Sequence, residues 1–553
     1  MPYSAYSAKP VADGAQRPFA SPFDQYSPDD RWEEMPAWLE PPYSLQDIAM
    51  QQLSYLIRST KSDWQTKYKD ASIRQKWKSE LLEQSIDEGA LTGEMIDYVL
   101  DELEMHDRDE QQPRAIRHSC FDKIYESDSL VPDDLLARLK FGVSKLESVP
   151  ESDKDWHPGS NNQVLDLVHP SLFPLVYGKT PTFKRDENNG NVTKEMTVAP
   201  APRDSQHSTS QKFQWLPTDF KVSATGQVTI LSYINNLHPE QHRDMYSTLE
   251  QVFEKFVPMF ERVLSDCQHP PPRRIQVTSD DAYGWYKGPE YDKPEDEWND
   301  DEYEEWEANR EITLPAPSGP FKMPSIVNDD DLAFKIRNKT VQVIVKLANI
   351  HLTPDNPKYP GGSWHVEGMA NEEIVASGIY YYDEHNISES KLAFRGTFDQ
   401  SELFYEQCDN RGVGIVFGIE DEGSILQDYG SLITKQGRAI AFPNIYQHCV
   451  SPFELKDPSQ PGHRKILVFF LVDPLKRIPS TTDVPPQQRH WIANELIKPR
   501  DVKSLLPTLP AELWSQALNE TDSMTLEEAK KLREELMAER MTLVKENDEV
   551  VFQ

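Results

Sequence analysis

The sequence predicts an α+β protein, with a mainly helical N-terminal region and an antiparallel sandwich or barrel in the C-terminal half. Before about residue 330, apolar residues recur at helical spacing along several segments. After it, short apolar runs are separated by Gly, Pro and Asn turns with no helical pattern between them. Because strands joined by short turns pair antiparallel, we expect a sandwich or barrel there.

The 553-residue chain is strongly acidic, with 58 Lys and Arg against 92 Asp and Glu and a formal net charge of −34. A field of that sign repels phosphate backbones and anionic lipids, so we expect no nucleic-acid and no membrane partner. No apolar run approaches the roughly 20 residues that cross a bilayer, and the N-terminus lacks a secretory pattern. Four widely spaced cysteines exclude a disulfide framework. We therefore expect a cytoplasmic protein, with the nucleus as the alternative.

The N-terminal third divides into three expected regions. Residues 1–30 mix Pro, Ser, Ala and Asp without periodicity, which is typical of disorder. Residues 31–185 are expected to be mainly helical, with helices capped near Ser44 and Thr92. Residues 186–212 are polar and rich in turn formers, which predicts a linker or loop.

Residues 213–330 are expected to wrap the core with a helix and an acidic insertion. The helix is predicted over about 239–264, and its continuous apolar stripe favours a core-facing helix over a partner-binding one. Residues 290–311 hold twelve carboxylates and two basic residues, a net charge of −10. Such a stretch is more typical of a solvated loop than of a binding element.

Residues 331–480 are expected to hold the strands. The apolar runs that predict them cover residues 341–350, 374–382, 413–419, 438–442 and 466–472. Residues 481–553 are expected to form a helical extension, in which Thr525 and Glu528 form a capping box for the last helix.

Two histidines and one carboxylate occupy positions suited to metal binding. His365 and Glu367 are two residues apart in an extended segment, so their side chains project from the same face. His448 follows the turn at Pro443 and Asn444 and begins another extended run, which a β-barrel can bring against the first pair. Two histidines and one carboxylate leave open positions on an octahedral ion, as in non-haem Fe(II) oxygenases. We therefore predict that His365, Glu367 and His448 are metal ligands and catalytic residues.

An arginine on a later apolar strand is the candidate anion-binding residue. Arg464 alternates with Ile466 and Val468, which directs its side chain to the interior. A buried guanidinium needs an anion, and its planar fork suits a carboxylate. Lys465 is the alternative anion-binding residue. Only one of two neighbouring residues on a strand faces inward, so Arg464 and Lys465 cannot both bind the anion.

These motifs resemble the 2-oxoglutarate and Fe(II)-dependent dioxygenase superfamily, which carries H-x-D/E…H followed by an arginine or lysine. The run 437–470 is especially similar to the C-terminal half of the prolyl-hydroxylase type. The resemblance implies a double-stranded β-helix of jelly-roll or cupin-like form, with Fe(II) bound by His365, Glu367 and His448 and with 2-oxoglutarate bound by Arg464. Glu367 departs from the Asp of most members, although some members use Glu.

Nearly the whole chain also resembles a fungal family catalogued as a domain of unknown function. The segments that carry this resemblance are residues 232–239, 364–369, 379–383 and 461–465. The activity of that family is open, so the function follows from the dioxygenase motifs alone.

The dioxygenase resemblance implies an enzyme that hydroxylates a C–H bond, consumes O2 and releases succinate and CO2. Its primary substrate would be a small metabolite or a protein side chain. Tyr380 and Tyr382 share one strand face and are candidates for contact with the cosubstrate, or else core aromatics. Two other functions are considered: a non-catalytic interaction protein that keeps the β-helix as a scaffold, and a cupin-like metalloenzyme that uses no 2-oxoglutarate.

Overall fold

The computed structural model contains helices packed around two main antiparallel sheets, with four further two-stranded sheets among the described residues. The described residues are 19–23, 40–84, 91–111, 115–186, 190–203, 208–278, 281, 284–287, 299–323, 333–400, 403–405, 409–421, 423–497, 518 and 521–548.

The helices follow from caps and apolar faces visible in the sequence. The side chain of Ser44 accepts the backbone N–H of Asp47 at the start of the first helix, and Thr92 caps the fourth. The α-helices of the described residues are α1 (Leu45–Thr60), α2 (Trp64–Lys67), α3 (Ala71–Gln84), α4 (Gly93–Glu110), α5 (Asp133–Glu147), α6 (Arg243–Gln268), α7 (Asp300–Ala308), α8 (Asn410–Phe417), α9 (Arg489–Ile497) and α10 (Leu526–Asp548).

The strands before residue 330 are short, and the long ones follow it. The early strands are β1 (Arg117–His118), β2 (Tyr125–Ser127), β3 (Val164–Val168), β4 (Leu175–Val176), β5 (Pro181–Arg185), β6 (Val192–Val198), β7 (Phe213–Gln214), β8 (Thr218–Val222), β9 (Val228–Ile230), β10 (Tyr286–Lys287) and β11 (Glu311–Ile312). The later strands are β12 (Thr340–Leu352), β13 (Lys358–Tyr359), β14 (Ile374–His385), β15 (Ser390–Thr397), β16 (Leu426–Thr434), β17 (Ala439–Pro443), β18 (Gln447–Val450), β19 (Phe453–Glu454) and β20 (Gly462–Val472).

Two sheets define the interior. The large sheet has the order β1-β2-β17-β14-β20-β12-β8-β9, with β3 also paired to β12, and the second sheet has the order β16-β15-β18. All the pairings between these strands are antiparallel. Phe394 of the second sheet packs with Phe442 and Phe470 of the large sheet in one buried cluster, so the two sheets face each other.

Helix α6 covers the outer face of the large sheet. Its Phe253 and Phe256 pack edge-to-face against Phe469 of β20, with ring centroids 5.2 and 5.7 Å apart. Gly378 of β14 permits this close approach, because a Cβ there would lie 2.8 Å from the Phe260 ring. With the outer face covered by the helix, the space between the two sheets is left for a site.

The antiparallel α+β architecture predicted from the sequence is confirmed. Four of the predicted apolar runs form β12, β14, β17 and β20. The run 413–419 was wrongly predicted as a strand, because it falls largely in helix α8. Asp409 caps that helix by accepting the N–H of Gly412 at 2.7 Å, and Gly418 ends it with a φ of 69°.

Three other expectations need correction. Residues 192–198, within the expected linker, form β6 and pair with β5, since Val and Thr favour a strand even where polar residues alternate. The region 31–185 is less helical than expected, because its β2 and β3 join the large sheet. Phe19 and Phe23 are buried, although disorder was expected; the other residues of 1–30 lie outside the described residues.

The remaining helices follow the prediction closely. Helix α6 occupies Arg243–Gln268 instead of 239–264. Thr525 and Glu528 form the predicted capping box, with each backbone N–H donating to the other side chain, at 2.7 and 3.2 Å. Of the acidic stretch, residues 290–298 lie outside the described part, and 300–308 form α7 where a solvated loop was expected. Asn299 caps this helix by accepting the N–H of Asp301 at 3.1 Å. Among the described helices, none combines the length and the apolar character needed to cross a membrane.

Candidate metal centre

His365 and His448 lie directly opposite each other on two antiparallel segments. The N–H of His365 donates to the carbonyl of His448 at 3.2 Å, and the N–H of His448 donates back at 2.9 Å. Residues paired in this way project their side chains from the same face, and the two ring centroids are 4.4 Å apart. Gly361 lets the first segment run against the second, because its φ is +96° and a Cβ there would lie 2.8 Å from the Val450 oxygen.

Glu367 completes the group from the same segment as His365. Its Oε1 lies 3.4 Å from Nε2 of His448 and 3.7 Å from Nε2 of His365. One ligand atom from each of the three residues lies within 4.8 Å of the other two. Ligand atoms about 2.1 Å from one ion and at right angles lie about 3 Å apart, so small side-chain movements would bring all three onto one metal. The structure therefore brings the three predicted ligands together.

Hydrogen bonds orient His365 to bind a metal through Nε2. Its Nδ1 lies 2.8 Å from the carbonyl oxygen of Ser363. A carbonyl only accepts, so Nδ1 carries a proton, and Nε2, which faces Glu367, is the nitrogen left to bind a metal. Nδ1 of His448 is buried without a hydrogen-bond partner among the described residues, and its Nε2 also faces Glu367.

The protonation states suit a cation. Burial opposes ionisation of Glu367, but its interactions with the His365 and His448 side chains outweigh burial and hold its pKa well below the ordinary value. Burial, followed by the charge of His365, lowers the pKa of His448. The group therefore offers a charged carboxylate and, at His448, a neutral imidazole, the forms in which these side chains bind metals. Burial lowers the pKa of His365 but Glu367 raises it overall, so a metal ion would displace the proton from Nε2 of His365.

Asn444 fixes the backbone of Glu367. Its Oδ1 accepts the N–H of Glu367 and its Nδ2 donates to the Glu367 carbonyl, both at 2.9 Å; Nδ2 also donates to the Ile374 carbonyl at 3.1 Å. Sequence reasoning used Asn444 only as part of a turn and missed this role. The signal available in the sequence was an amide side chain directly after the end of a buried strand. An amide can both accept from the N–H and donate to the carbonyl of an extended backbone.

Arg464 faces the same interior. It is 1% exposed, its Nη1 donates to the hydroxyl of Ser390 on β15, and its guanidinium lies 5.5 Å from the Tyr381 ring centroid and 4.8 Å from that of Phe453. Among the described residues it has no ion pair, and its Nε is buried without a hydrogen-bond partner. Lys465 points the opposite way and pairs with Glu147 at 2.8 Å. Within the described part of the chain, the buried guanidinium therefore has no carboxylate to compensate the cost of its burial.

The metal ligands and the arginine share one face of the second sheet. Phe394 of β15 lies opposite His448. Ser390, the partner of Arg464, is four residues from Phe394 on the same strand and therefore on the same face. Four residues of a strand span roughly 13 Å. The guanidinium and the histidines therefore lie in the same interior, separated along the strand by about that distance.

Tyr380 and Tyr382 do not join this group. They lie on the other face of β14, in the core under α6, and the Tyr382 hydroxyl donates to Asn349 Oδ1 at 3.2 Å. This placement corrects the expected cosubstrate contacts, since Tyr381, between them, faces the interior near Arg464. Both faces of this strand are buried, so alternation showed which residues share a face but not which face is inward.

A second group, formed by His157, Asp166 and His169, also has ligand atoms within 4.8 Å of one another. Its hydrogen bonds differ from those of the first group. Nδ1 of His157 lies 2.8 Å from Asp166, and Nδ1 of His169 accepts the N–H of Ser171 at 3.2 Å. A neutral His169 then carries its proton on Nε2 and cannot bind a metal there. With Arg533 of α10 3.7 Å from Asp166, this group docks a helix.

A family model described as a protein of unknown function, DUF4246, matches residues 93–495. The chain belongs to the DUF4246 family. The N-terminal domain model of DUF4246 matches residues 3–80, and the longer DUF4246 match includes the three candidate ligands and Arg464. No curated protein matches this DUF4246 chain.

Solved structures similar to the DUF4246 chain include a dioxygenase and proteins from two bacteria. The Fe(II)/α-ketoglutarate-dependent dioxygenase TqaL is 8% identical, with a TM-score of 0.26 over 63% of this chain and 77% of TqaL. AviO1 from Streptomyces viridochromogenes Tue57 is 9% identical, with a TM-score of 0.23 over 65% of this chain and 93% of AviO1. EvdO2 from Micromonospora carbonacea var. aurantiaca, complexed with 2-oxoglutarate, is 13% identical, with a TM-score of 0.14 over 25% of this chain and 56% of EvdO2. The assignment of the site therefore rests on the chain's own residues.

Proposed function

We propose that this protein is an Fe(II)- and 2-oxoglutarate-dependent oxygenase that hydroxylates a C–H bond and releases succinate and CO2. The observation that carries the proposal is the convergence of His365, Glu367 and His448 on the same interior as Arg464, a buried arginine that has no ion pair among the described residues. The strand order supports a double-stranded β-helix, with β12, β20, β14 and β17 in one sheet and β16, β15 and β18 in the other.

The donor set fits Fe(II). His365 and His448 would supply imidazole nitrogens and Glu367 a carboxylate oxygen, which leaves coordination positions for a cosubstrate and O2. Bound iron and 2-oxoglutarate would supply the activation of O2, coupled to oxidative decarboxylation of the cosubstrate. The protein's own contribution is to hold the ligands: Ser363 fixes the tautomer of His365, and Asn444 fixes the backbone of Glu367.

Arg464 would bind the distal carboxylate of 2-oxoglutarate. A buried guanidinium is costly unless its N–H groups are satisfied, and a carboxylate accepts two parallel hydrogen bonds from it. The Ser390 hydroxyl and the rings of Phe453 and Tyr381 hold the guanidinium in one orientation and exclude water around it. These contacts favour a ligand with a carboxylate at the end remote from the metal.

The test is the visible charge-transfer band that forms when Fe(II) and 2-oxoglutarate are added to the folded protein without O2. We expect the band in the wild type and its loss in His365→Ala. His385→Ala is the matched control, because His385 is an exposed histidine on β14. A folded wild-type protein without the band, or a His365→Ala variant that keeps it, would contradict the proposal.

The same experiment separates the alternative functions. Iron that binds without any response to 2-oxoglutarate would indicate the cupin-like metalloenzyme. Protein that binds neither would indicate the scaffold. Release of succinate on admission of O2 is the second measurement, since only the oxygenase converts 2-oxoglutarate.

A further inference from the structure

Lys346 projects into the space between the two sheets. It lies directly opposite Val468 of β20, and Val468 belongs to the buried cluster that contains Phe394 and Phe442, so the Lys346 side chain leaves β12 on the interior face. Lys346 is half-buried, whereas its neighbours in 341–350 are buried. A partly exposed lysine in the middle of a buried strand reaches open space within the interior.

The ammonium of Lys346 has no acidic partner in contact. Within the described part of the chain, it makes no hydrogen bond and no ion pair. Asp166, on the neighbouring β3, is hydrogen-bonded to His157 at 2.8 Å. Phe442 of the same cluster packs against His448, with ring centroids 4.9 Å apart, so Lys346 and the metal centre border one interior.

Arg540 brings a second cation to this interior from the C-terminal helix. Helix α10 packs through Leu536 into the buried cluster between the sheets. Nη2 of Arg540 donates to Oε1 of Glu372 at 2.7 Å, and the guanidinium lies 3.8 Å from the centroid of the Trp215 ring. Nε and Nη1 are buried without a hydrogen-bond partner among the described residues. Docking of α10 through Glu372 therefore leaves two guanidinium nitrogens, Nε and Nη1, without an acceptor among the described residues.

Glu372 connects Arg540 to the ligand segment. Its Oε2 accepts the N–H of Met369 at 2.6 Å, two residues after Glu367. Arg540 is therefore joined through Glu372 to the segment that carries Glu367. Lys346 and Arg540 thus lie near the metal centre from different elements.

We infer that Lys346 and Arg540 bind an anionic group, a carboxylate or a phosphate, on the primary substrate. The inference rests on the proposed function, because 2-oxoglutarate would use Arg464 and the metal for its own two carboxylates. Arg464 lies four residues from Val468 along β20, roughly 13 Å from the level of Lys346. The remaining positive charge and the unused N–H groups would be satisfied by a substrate anion, which would position the neighbouring C–H bond at the metal.

The probes are phenylacetate and phenyl phosphate, with phenylacetamide as the neutral match. Each is titrated into protein loaded with Fe(II) and 2-oxoglutarate without O2, and binding is followed by calorimetry and by the shift of the charge-transfer band. We expect at least one anion to bind about tenfold or more tightly than the amide, because hydrogen bonds to charged groups are worth that much. Whichever anion binds more tightly identifies the carboxylate or the phosphate as the group recognised.

Variants assign the binding to the two cations. Lys346→Gln and Arg540→Gln should each weaken the anion about tenfold or more while leaving the amide unchanged. Lys221→Gln is the matched control, since Lys221 is an exposed lysine on the neighbouring β8. Circular dichroism checks that α10 remains folded in Arg540→Gln, and Lys346→Gln tests the inference without altering that helix.

These experiments distinguish failure of the proposed function from failure of the inference about Lys346 and Arg540. Absence of the charge-transfer band in the wild type would remove the proposed function. With the band present, equal binding of anions and amide, or anion affinity unchanged in Lys346→Gln, would overturn the inference alone. Weaker 2-oxoglutarate binding in Lys346→Gln would also overturn it, because Lys346 would then belong to the cosubstrate.

Discussion

His365 and His448 exchange two backbone hydrogen bonds, at 3.2 and 2.9 Å, although they are far apart in sequence. The main chain therefore sets the distance between the two imidazoles, and side-chain packing has only to select their rotamers. Because these hydrogen bonds form with the fold, the ligands are placed before any metal arrives. Preorganisation of this kind lowers the conformational cost of binding an ion.

Loss of one ligand should remove most of the metal affinity. Glu367→Gln keeps the size of the side chain but replaces a charged oxygen donor by a neutral amide, so we expect Fe(II) affinity to fall by about tenfold or more. In His448→Ala the Fe(II) affinity should fall further, because this change removes a ligand and leaves Glu367 beside only one histidine. Equilibrium dialysis with metal analysis measures both, and near-stoichiometric iron in both variants would remove these residues as ligands.

Removal of the Asn444 amide should loosen the site without removing a ligand. Asn444→Ala leaves the N–H and carbonyl of Glu367 without their present partners, so we expect Fe(II) affinity to fall about tenfold, the lower end for groups that orient metal ligands. Asn444→Asp accepts the N–H but cannot donate, so its affinity should lie between that of Asn444→Ala and the wild type. Equal affinities in all three proteins would show that Asn444 serves the fold alone.

The candidate ligands could be predicted because each belongs to a local pattern. The spacing of His365 and Glu367 fixes a shared face, and His448 begins a strand after a recognisable turn. The direction of Arg464 followed from alternation with apolar residues. In contrast, Asn444 acts through the backbone of a segment remote in sequence, and no periodicity signals that contact.

The predictions that were wrong also have physical causes. Tyr380 and Tyr382 share one face of β14, as predicted. The sequence could not show whether that face lies between the sheets or under α6, since β14 is buried on both sides. The apolar run at 413–419 has no strand character beyond its composition, and the Asp409 cap decides in favour of a helix. The contacts of Arg540 connect the end of the chain to the ligand segment and are therefore invisible to local patterns.

Replacement of Arg464 should weaken the binding of 2-oxoglutarate without lowering the stability of the protein. Arg464→Met removes a buried charge that lacks an ion pair among the described residues, so the free energy of unfolding of the ligand-free protein should stay unchanged or rise. The affinity for 2-oxoglutarate should fall about tenfold to a hundredfold, because charge-assisted hydrogen bonds are lost. Chemical denaturation and titration of the charge-transfer band measure the two effects.

Lys465→Met is the matched control for that variant. Lys465 pairs with Glu147 outside the interior, so its loss should leave 2-oxoglutarate affinity unchanged. If Lys465→Met, and not Arg464→Met, weakened the cosubstrate, the two neighbours would have exchanged their assigned roles.

Asp266 should make the stability of the protein fall between weakly acidic and mildly alkaline pH. Burial raises the pKa of Asp266 to about 7, although the Tyr125 hydroxyl, which donates to it at 2.7 Å, favours the charged form. In the unfolded chain the pKa is about 3.9, so between these values the folded state binds more protons and the free energy of unfolding decreases as pH rises. Asp266→Asn removes this titration. We expect equal stabilities near pH 4 and a variant more stable by on the order of 2 kcal/mol near pH 8, since Asp266 is only half-buried. Urea denaturation across this range measures the difference, and parallel profiles for the two proteins would show that Asp266 ionises normally in the fold.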